Sequence, residues 1–275
     1  MSEQHPNLKI TLVQPDLYWE SPRANYLHIE KMLDEAEVVT DLIVLPEMFP
    51  TGFSMNTEEL AELPEGASYL WMKRLAKKYD AAVVGSIITR EPHLEDEDSF
   101  NNRLHWVFPE GDLEVYNKRH LFSFAKEHEY YSPGKKRLIV MYKGWRICPL
   151  ICYDLRFPAW SRNQDFVSGT EHMFDLLIYV ANWPKARKRA WTNLLEARAH
   201  ENQVYTCGVN RVGIDGNDIE YDGDSAVFSP KGESLCAFEP GAEAVKTVEL
   251  DLDALNTFRE KFPVGKDSDG FTLPV

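Results

Sequence analysis

The sequence predicts a layered α/β domain. Short apolar runs such as LKITLV, LIVL and LLIYV are too short for helices and read as buried strands. They alternate with longer segments whose apolar residues recur every three or four positions, the signature of one helix face. There is no repeat, no Ser/Gly/Pro linker and no break in composition. Residues 1–275 are therefore expected to form one domain.

Leu8 to Val13 reads as the first buried strand. Pro22 to Val39 follows as a helix, with Tyr26, Ile29, Leu33 and Ala36 on one face, Ser21 as N-cap and Pro22 in the first turn. Leu42 to Leu45 is a second strand, ending at Pro46. Ser68 to Tyr79 is a second amphipathic helix, and Ala82 to Ile88 a third strand. Glu91 to Ser99, with its carboxylates and a proline, reads as a solvated loop. Strands are expected at Arg103 to Phe108, Leu113 to Tyr116, Leu138 to Tyr142, Arg146 to Ile151 and Leu176 to Val180. Lys185 to Asn202 reads as a long helix, Val204 to Val209 as a strand, and Glu220 to Leu250 as short β segments broken by Gly and Pro. Asp251 to Val275 lacks a clear amphipathic pattern and is expected to be a C-terminal tail, available for contacts between subunits.

Composition narrows the function. With 44% hydrophobic and 27% charged residues, the chain is neither disordered nor fibrous. Its net charge of −14 argues against nucleic acid and anionic membranes, which need a basic footprint. It says nothing against a small anion, which feels local charge. Met1 to Lys9 shows no signal-peptide pattern. The longest apolar stretch, Leu176 to Trp183, is under half a membrane span. Cys148, Cys152, Cys207 and Cys236 have no framework spacing and read as free thiols, so the cytoplasm is the expected compartment.

Four places can carry chemistry. Cys152, in LICYDLRFP, directly follows an apolar strand. A nucleophile at such a turn is held rigidly, and nearby amides can stabilise an oxyanion; a buried structural thiol is the plain alternative. Glu47 follows LIVLP, at the carboxyl end of a strand, where open α/β sheets carry their sites. A desolvated carboxylate there suits a general base, and a loop acid or helix cap is the alternative. Lys118, in EVYNKRHLF, ends a strand and has Glu127 nearby in sequence; it also reads as a surface charge. Arg156, four residues after Cys152, can clamp a carboxylate or form a structural ion pair. A Cys–His pair using His120 or His128 explains fewer residues than the Glu, Lys and Cys placement, and His120 fits a structural hydrogen-bonding role better.

In combination these segments resemble the nitrilase superfamily of carbon–nitrogen hydrolases, over about residues 8 to 250. Leu45-Pro46-Glu47 matches the family's LPE-like strand end. Tyr116 to Phe122 matches its YxKxHLF-like segment, and Cys152 to Pro158 its CYDxRFP-like segment. Glu127 matches a second glutamate between the lysine and the cysteine. Asn182-Trp183, RAHEN at Arg198 to Asn202, Asn210-Arg211 with Gly213, and GDSAVFSPKG at Gly223 to Gly232 match later features in the same order.

The resemblance implies a four-layer αββα sandwich of two mixed sheets. It implies Cys152 as nucleophile, Glu47 as general base, Lys118 and the Tyr153 backbone N–H as oxyanion donors, and Glu127 orienting Lys118. No metal and no organic cofactor is implied. Within the superfamily, EHEYY and YVANWPKAR look most like bacterial ω-amidases, which hydrolyse the terminal amide of short 2-oxo dicarboxylate monoamides. That implies a small amide substrate bearing a carboxylate, with Arg156 as its clamp and Trp183, Phe122 and Tyr130 as candidate pocket walls. A carbamoylase, a nitrilase, or a catalytically silent binding protein on the same fold are the other readings. A homodimer or higher homo-oligomer is also implied.

Overall fold

The computed structural model describes residues 7–92, 98–164 and 172–273. The acidic stretch expected to be a loop is bounded by strands at Glu91 and Ser99, and its residues 93–97 lie outside the described ones.

Among the described residues, fourteen strands and five α-helices follow one another. The first half carries β1 (Leu8–Gln14), α1 (Pro22–Glu35), β2 (Leu42–Val44), α2 (Thr57–Leu60), α3 (Ala67–Tyr79), β3 (Ala82–Glu91), β4 (Ser99–Val107) and β5 (Leu113–Asn117). The second half carries β6 (Val140–Tyr142), β7 (Trp145–Ile151), β8 (Leu176–Val180), α4 (Lys188–Asn202), β9 (Tyr205–Val209), β10 (Val212–Ile214), β11 (Glu220–Asp222), β12 (Ala226–Phe228), β13 (Ser234–Ala237), β14 (Ala244–Leu250) and α5 (Leu252–Lys261).

The strands form two six-stranded mixed sheets, β14-β1-β2-β3-β4-β5 and β13-β12-β9-β8-β7-β6, with β10 and β11 as a separate hairpin. The sheets share one pairing pattern. Each has a parallel trio, β1-β2-β3 or β7-β8-β9, flanked by antiparallel strands. The parallel trios explain the continuous apolar runs in the sequence, because such strands are buried on both faces.

Side-chain alternation separates the layers. Leu8, Ile10 and Leu12 of β1, Leu42 and Val44 of β2, and Ala82 and Val84 of β3 face the second sheet and share a core with Ile147, Leu176 and Ile178. The intervening residues Val13, Ile43 and Val83 face outward. They pack with Ile29 and Leu33 of α1 and Trp71, Met72 and Leu75 of α3. On the far side α4 covers the second sheet through Trp191, Leu195 and Ala199. Gly208 on β9 allows this close approach, since a Cβ there would lie 2.4 Å from Leu195 and 2.7 Å from Trp191. The four-layer αββα arrangement expected from the sequence is the one observed.

Two local expectations are corrected. Ser21 precedes α1 but makes no side-chain cap, and the helix stops at Glu35 rather than Val39. The entry is pinned instead by Asn25, which accepts from Tyr18 N and donates to the carbonyls of Tyr18 and Pro50. The second correction concerns 251–275, where Leu252–Lys261 is helical and capped by Asp251, whose side chain accepts from Ala254 N. Its inner face consists of Leu252, Leu255 and Arg259. Arg259 donates to Asp175, Phe174 O and Gln203 O at 2.7–2.9 Å. An arginine on the buried face interrupts the apolar period, which is why the helix is not evident in the sequence.

Candidate active site

The site lies at the carboxyl ends of the central strands, where the two sheets meet. Glu47 lies three residues beyond β2, Lys118 directly after β5, and Cys152 directly after β7 at the start of a 3-10 turn that runs to Arg156. Asn182 lies two residues beyond β8. β2 and β8 occupy corresponding central positions in their sheets, so their strand ends confront one another.

They are joined directly. The backbone N–H of Asn182 donates to Glu47 Oε2 at 2.9 Å, and its side-chain amide donates to the Glu47 carbonyl. Lys118 Nζ donates to Glu47 Oε1 at 2.8 Å and to both carboxylate oxygens of Glu127 at 2.9 Å. Asn102, within β4, bridges the carboxylates, donating to Glu47 at 2.8 Å and to Glu127 at 3.1 Å. The N–H of Phe122 completes the shell around Glu127 at 2.5 Å. Lys118, Glu47 and Glu127 are 1%, 0% and 0% exposed, so this is a desolvated network in which one lysine is shared by two carboxylates.

Burial alone would lower the pKa of Lys118, but Glu127 and then Glu47 reverse that and hold it above the ordinary lysine range. Lys118 is therefore a permanent cation. Burial pushes the Glu127 carboxyl up against the pull of Lys118. Burial, then the charge of Glu47, also raises the Cys152 thiol well above its ordinary value, with Lys118 opposing. The thiol lies in the same buried cluster as Glu47 and Lys118, and its Sγ donates to the Asn182 carbonyl at 3.9 Å.

The backbone is strained where these residues sit. Cys152 has φ of 42°, Met48 beside Glu47 has 42°, and Lys126 beside Glu127 has 60°. Non-glycine residues in this left-handed region each cost on the order of 1–3 kcal/mol and persist where surrounding contacts enforce them. Asp154 is the anchor of the Cys152 turn. It accepts from Ile151 N, Tyr116 Oη, and both His120 N and His120 Nδ1, tying the Lys118 segment of one sheet to the Cys152 turn of the other. His120 thus bonds Asp154 and stacks on Phe157 at 3.7 Å, in the structural role the sequence favoured.

Cys152 and Lys118 open onto a cavity of about 50 Å³. Phe122, Arg156 and Trp183, which the resemblance implied as pocket residues, line it, and so does Tyr153. Tyr130 does not. It is 45% exposed, whereas its neighbour Tyr131 turns inward and donates to Ser54 O at 2.6 Å. Neither tyrosine lines the cavity: Tyr130 faces outward after the turn at Glu127–Glu129, and Tyr131 packs with Met48 and Ile88.

The sequence reading assigned no role to Asn102, Phe53, Arg187, Ile219 and Tyr221, of which all but Asn102 line the cavity. Asn182 was noted only as part of a motif. Asn102 carried no signal, since it is one of five polar residues in β4 and lies before the Arg103 at which the sequence reading began that strand. Ile219 and Tyr221 carried none, since they reach the site through the β10–β11 hairpin.

Comparisons with known proteins agree with this geometry. The carbon-nitrogen hydrolase family model matches residues 9–260. The chain is 45% identical to omega-amidase YafV of Yersinia enterocolitica, covering 97% of this chain and 98% of that protein. It is 33% identical to 2-oxoglutaramate amidase of Bacillus subtilis, covering 94% and 96%. A solved CN-hydrolase superfamily protein from Xanthomonas campestris, which carries an arsenic adduct in its active site, is 42% identical and superposes with a TM-score of 0.92, covering 98% of this chain and all of that one. Saccharomyces cerevisiae Nit3, of the nitrilase superfamily, is 27% identical with a TM-score of 0.79, covering 95% and 96%. By the family match, the fold and these near-full-length relatives, the chain belongs to the carbon–nitrogen hydrolase family.

Proposed function

We propose that this protein is an ω-amidase, hydrolysing the terminal amide of a short 2-oxo dicarboxylic acid monoamide, such as 2-oxoglutaramate or 2-oxosuccinamate, to the acid and ammonia. The observation that carries this reading is the convergence of Cys152, Lys118 and Glu47 in one desolvated cluster, opening on a cavity that also holds the cation Arg156. The extended identity to an omega-amidase and a 2-oxoglutaramate amidase supports the choice of substrate.

The steps follow from the geometry. Cys152 Sγ attacks the amide carbon while its proton passes to Glu47. The oxyanion that forms takes donors from Lys118 and the Tyr153 N–H; losing one such donor typically costs about 2.7–4 kcal/mol of transition-state stabilisation. Glu47 returns the proton to the departing nitrogen, so ammonia leaves and a thioester remains on Cys152. Glu47 then removes a proton from water, whose oxygen attacks the thioester and releases the acid and the thiol. Glu127 keeps Lys118 charged and aimed. Arg156 holds the substrate carboxylate in this reading, which its position in the cavity wall, 4.9 Å from the Trp183 ring, supports.

The test is ammonia release over a panel of 2-oxoglutaramate, 2-oxosuccinamate, glutamine, asparagine and a carbamoyl amino acid, with native enzyme and Cys152→Ala. The expected result is preference for the 2-oxo amides, and loss of turnover in the folded variant. Full activity in Cys152→Ala would sink the mechanism; ammonia with CO₂ from the carbamoyl compound as the sole reaction would replace the substrate assignment.

Two further inferences concern where and how the protein works. Its four cysteines are free thiols, which suits the reducing cytoplasm, and among the described residues no helix is long and apolar enough to cross a membrane. We also infer a homodimer or higher homo-oligomer. The exposed rings of Phe124 and Tyr130, on adjoining turns, support it as apolar surface that a second copy would cover.

A further inference from the structure

Three basic residues lie close together on the turn that leads into α4, and the structure treats them differently. Lys185 pairs with Glu220 at 3.0 Å and Asp222 at 3.4 Å. Lys188 pairs with Asp222 at 2.8 Å. Arg187, between them, has no carboxylate partner among the described residues. It turns to the cavity instead, its guanidinium 5.2 Å from the Phe122 ring and 5.9 Å from the Phe124 ring. Its carbonyl accepts from Trp183 Nε1 at 2.9 Å. Trp183 is the ring on which Arg156 stacks. The two guanidiniums are thus carried on walls that are bonded to each other.

We propose that Arg187 is a second anion-recognising residue of the cavity, and that with Arg156 it makes the enzyme select a 2-oxo acid amide over the corresponding 2-amino acid amide. The identity of the 2-oxo acid rests on the ω-amidase reading above.

The charge inventory supports the selection. Lys118, Arg156 and Arg187 line the cavity, and no carboxylate among the described residues does. Glu47 and Glu127 are fully buried behind Lys118 and Asn102, where their oxygens are already engaged. A 2-oxo acid presents a carboxylate and an adjacent carbonyl oxygen, both acceptors, to two groups that only donate. A 2-amino acid presents an ammonium in place of that oxygen. It would enter a space lined by Arg156 and Arg187, with the charge of Lys118 already taken up by Glu47 and Glu127, and find no carboxylate in the wall to receive it, an arrangement that discriminates by repulsion as well as attraction. The aromatic faces beneath both guanidiniums keep them positioned without neutralising them.

The experiment compares kcat and KM for 2-oxoglutaramate, glutamine and the neutral pentanamide in native enzyme, Arg187→Gln and Arg187→Lys, with circular dichroism to confirm folding. For Arg187→Gln the expected result is a fall of tenfold or more in kcat/KM for 2-oxoglutaramate relative to pentanamide, carried by KM. The 2-oxoglutaramate to glutamine preference should fall with it, and Arg187→Lys should recover part of both. Equal losses on all three amides would mean a structural role and overturn the proposal. So would a ratio that stays within threefold in a native enzyme that does prefer 2-oxoglutaramate, and that result would leave the ω-amidase reading standing. A native enzyme that cleaves pentanamide but no 2-oxo acid amide would overturn both.

Discussion

Replacing Glu127 with glutamine tests whether the second carboxylate holds Lys118 for catalysis. The substitution keeps the volume and removes the charge. In the native site Glu127 Oε1 accepts from Lys118 and Asn102, and Oε2 accepts from Lys118 and Phe122 N. Glutamine keeps one acceptor oxygen and puts an NH₂ on the other position, so whichever way it turns, two of these four contacts become donor against donor. Hydrogen bonds to charged groups contribute about 1.5–3 kcal/mol each, so roughly 3–6 kcal/mol is at stake. That loss divides between the fold and the reaction. If half of the upper figure is expressed in the transition state, kcat falls about a hundredfold, at about 1.4 kcal/mol per factor of ten. The remainder lowers Tm by several degrees, since about 1 kcal/mol shifts a domain of this size by roughly 2–4 °C. Steady-state ammonia release gives kcat, and intact-protein mass spectrometry after rapid mixing shows whether acylation of Cys152 is the slowed step. A folded Glu127→Gln enzyme with kcat within threefold of native would refute the reasoning and leave Glu127 a structural acid.

Acid stability should report His105 of β4, which is buried with its two ring nitrogens facing the carbonyls of Arg103 and Pro64, to one of which the neutral ring can donate. Burial pushes its pKa down to about 4 from the ordinary 6.5. The unfolded chain therefore takes up the proton first, and the stability contribution is complete above pH 6.5 and lost as pH falls toward 4, by up to roughly 3 kcal/mol. Urea midpoints between pH 7 and 4.5 should fall less steeply for His105→Gln than for the native protein, and parallel curves would contradict this. For subunit association, sedimentation equilibrium should show a species of at least twice the 31.7 kDa chain mass, and Phe124→Glu should shift it toward monomer; a native protein that is monomeric at assay concentration rules the association out.

Much of the architecture was legible because local patterns carry it. Apolar runs at 42–45 and 176–180 are short, and such runs suit parallel strands buried on both faces. The helices α1, α3 and α4 were legible from a one-sided apolar period, though their ends were not, as Glu35 in place of Val39 shows. α5 escaped because its buried face includes Arg259, whose charge is neutralised by Asp175 from a segment far away in sequence. The facing of the two sheets could be expected only through the family resemblance, since periodicity says that a strand has two buried faces and not what buries them.

The candidate site divides the same way. Glu47, Lys118 and Cys152 were visible as chemically apt residues at strand ends or beside them, and a linear motif preserves that placement, whereas Glu127, in a 3-10 turn ten residues beyond β5, was given its role only through the family resemblance. Which oxygen each donor reaches was not visible, because Lys118 meets Glu47 across 71 positions of sequence and Asn182 meets it across 135. The same holds for the direction of side chains around the site. The sequence presents Tyr130 and Tyr131 as equivalents, and Lys185, Arg187 and Lys188 as one basic cluster. A turn at Glu127–Glu129 sends one tyrosine out and the other in. Glu220 and Asp222, delivered by the β11 strand, neutralise the two lysines and leave the arginine to the cavity. Side-chain chemistry and strand order are local properties, written residue by residue. Pairing, desolvation and the direction in which a charge is spent depend on partners brought from elsewhere in the chain, and those exist only once the two sheets have closed on each other.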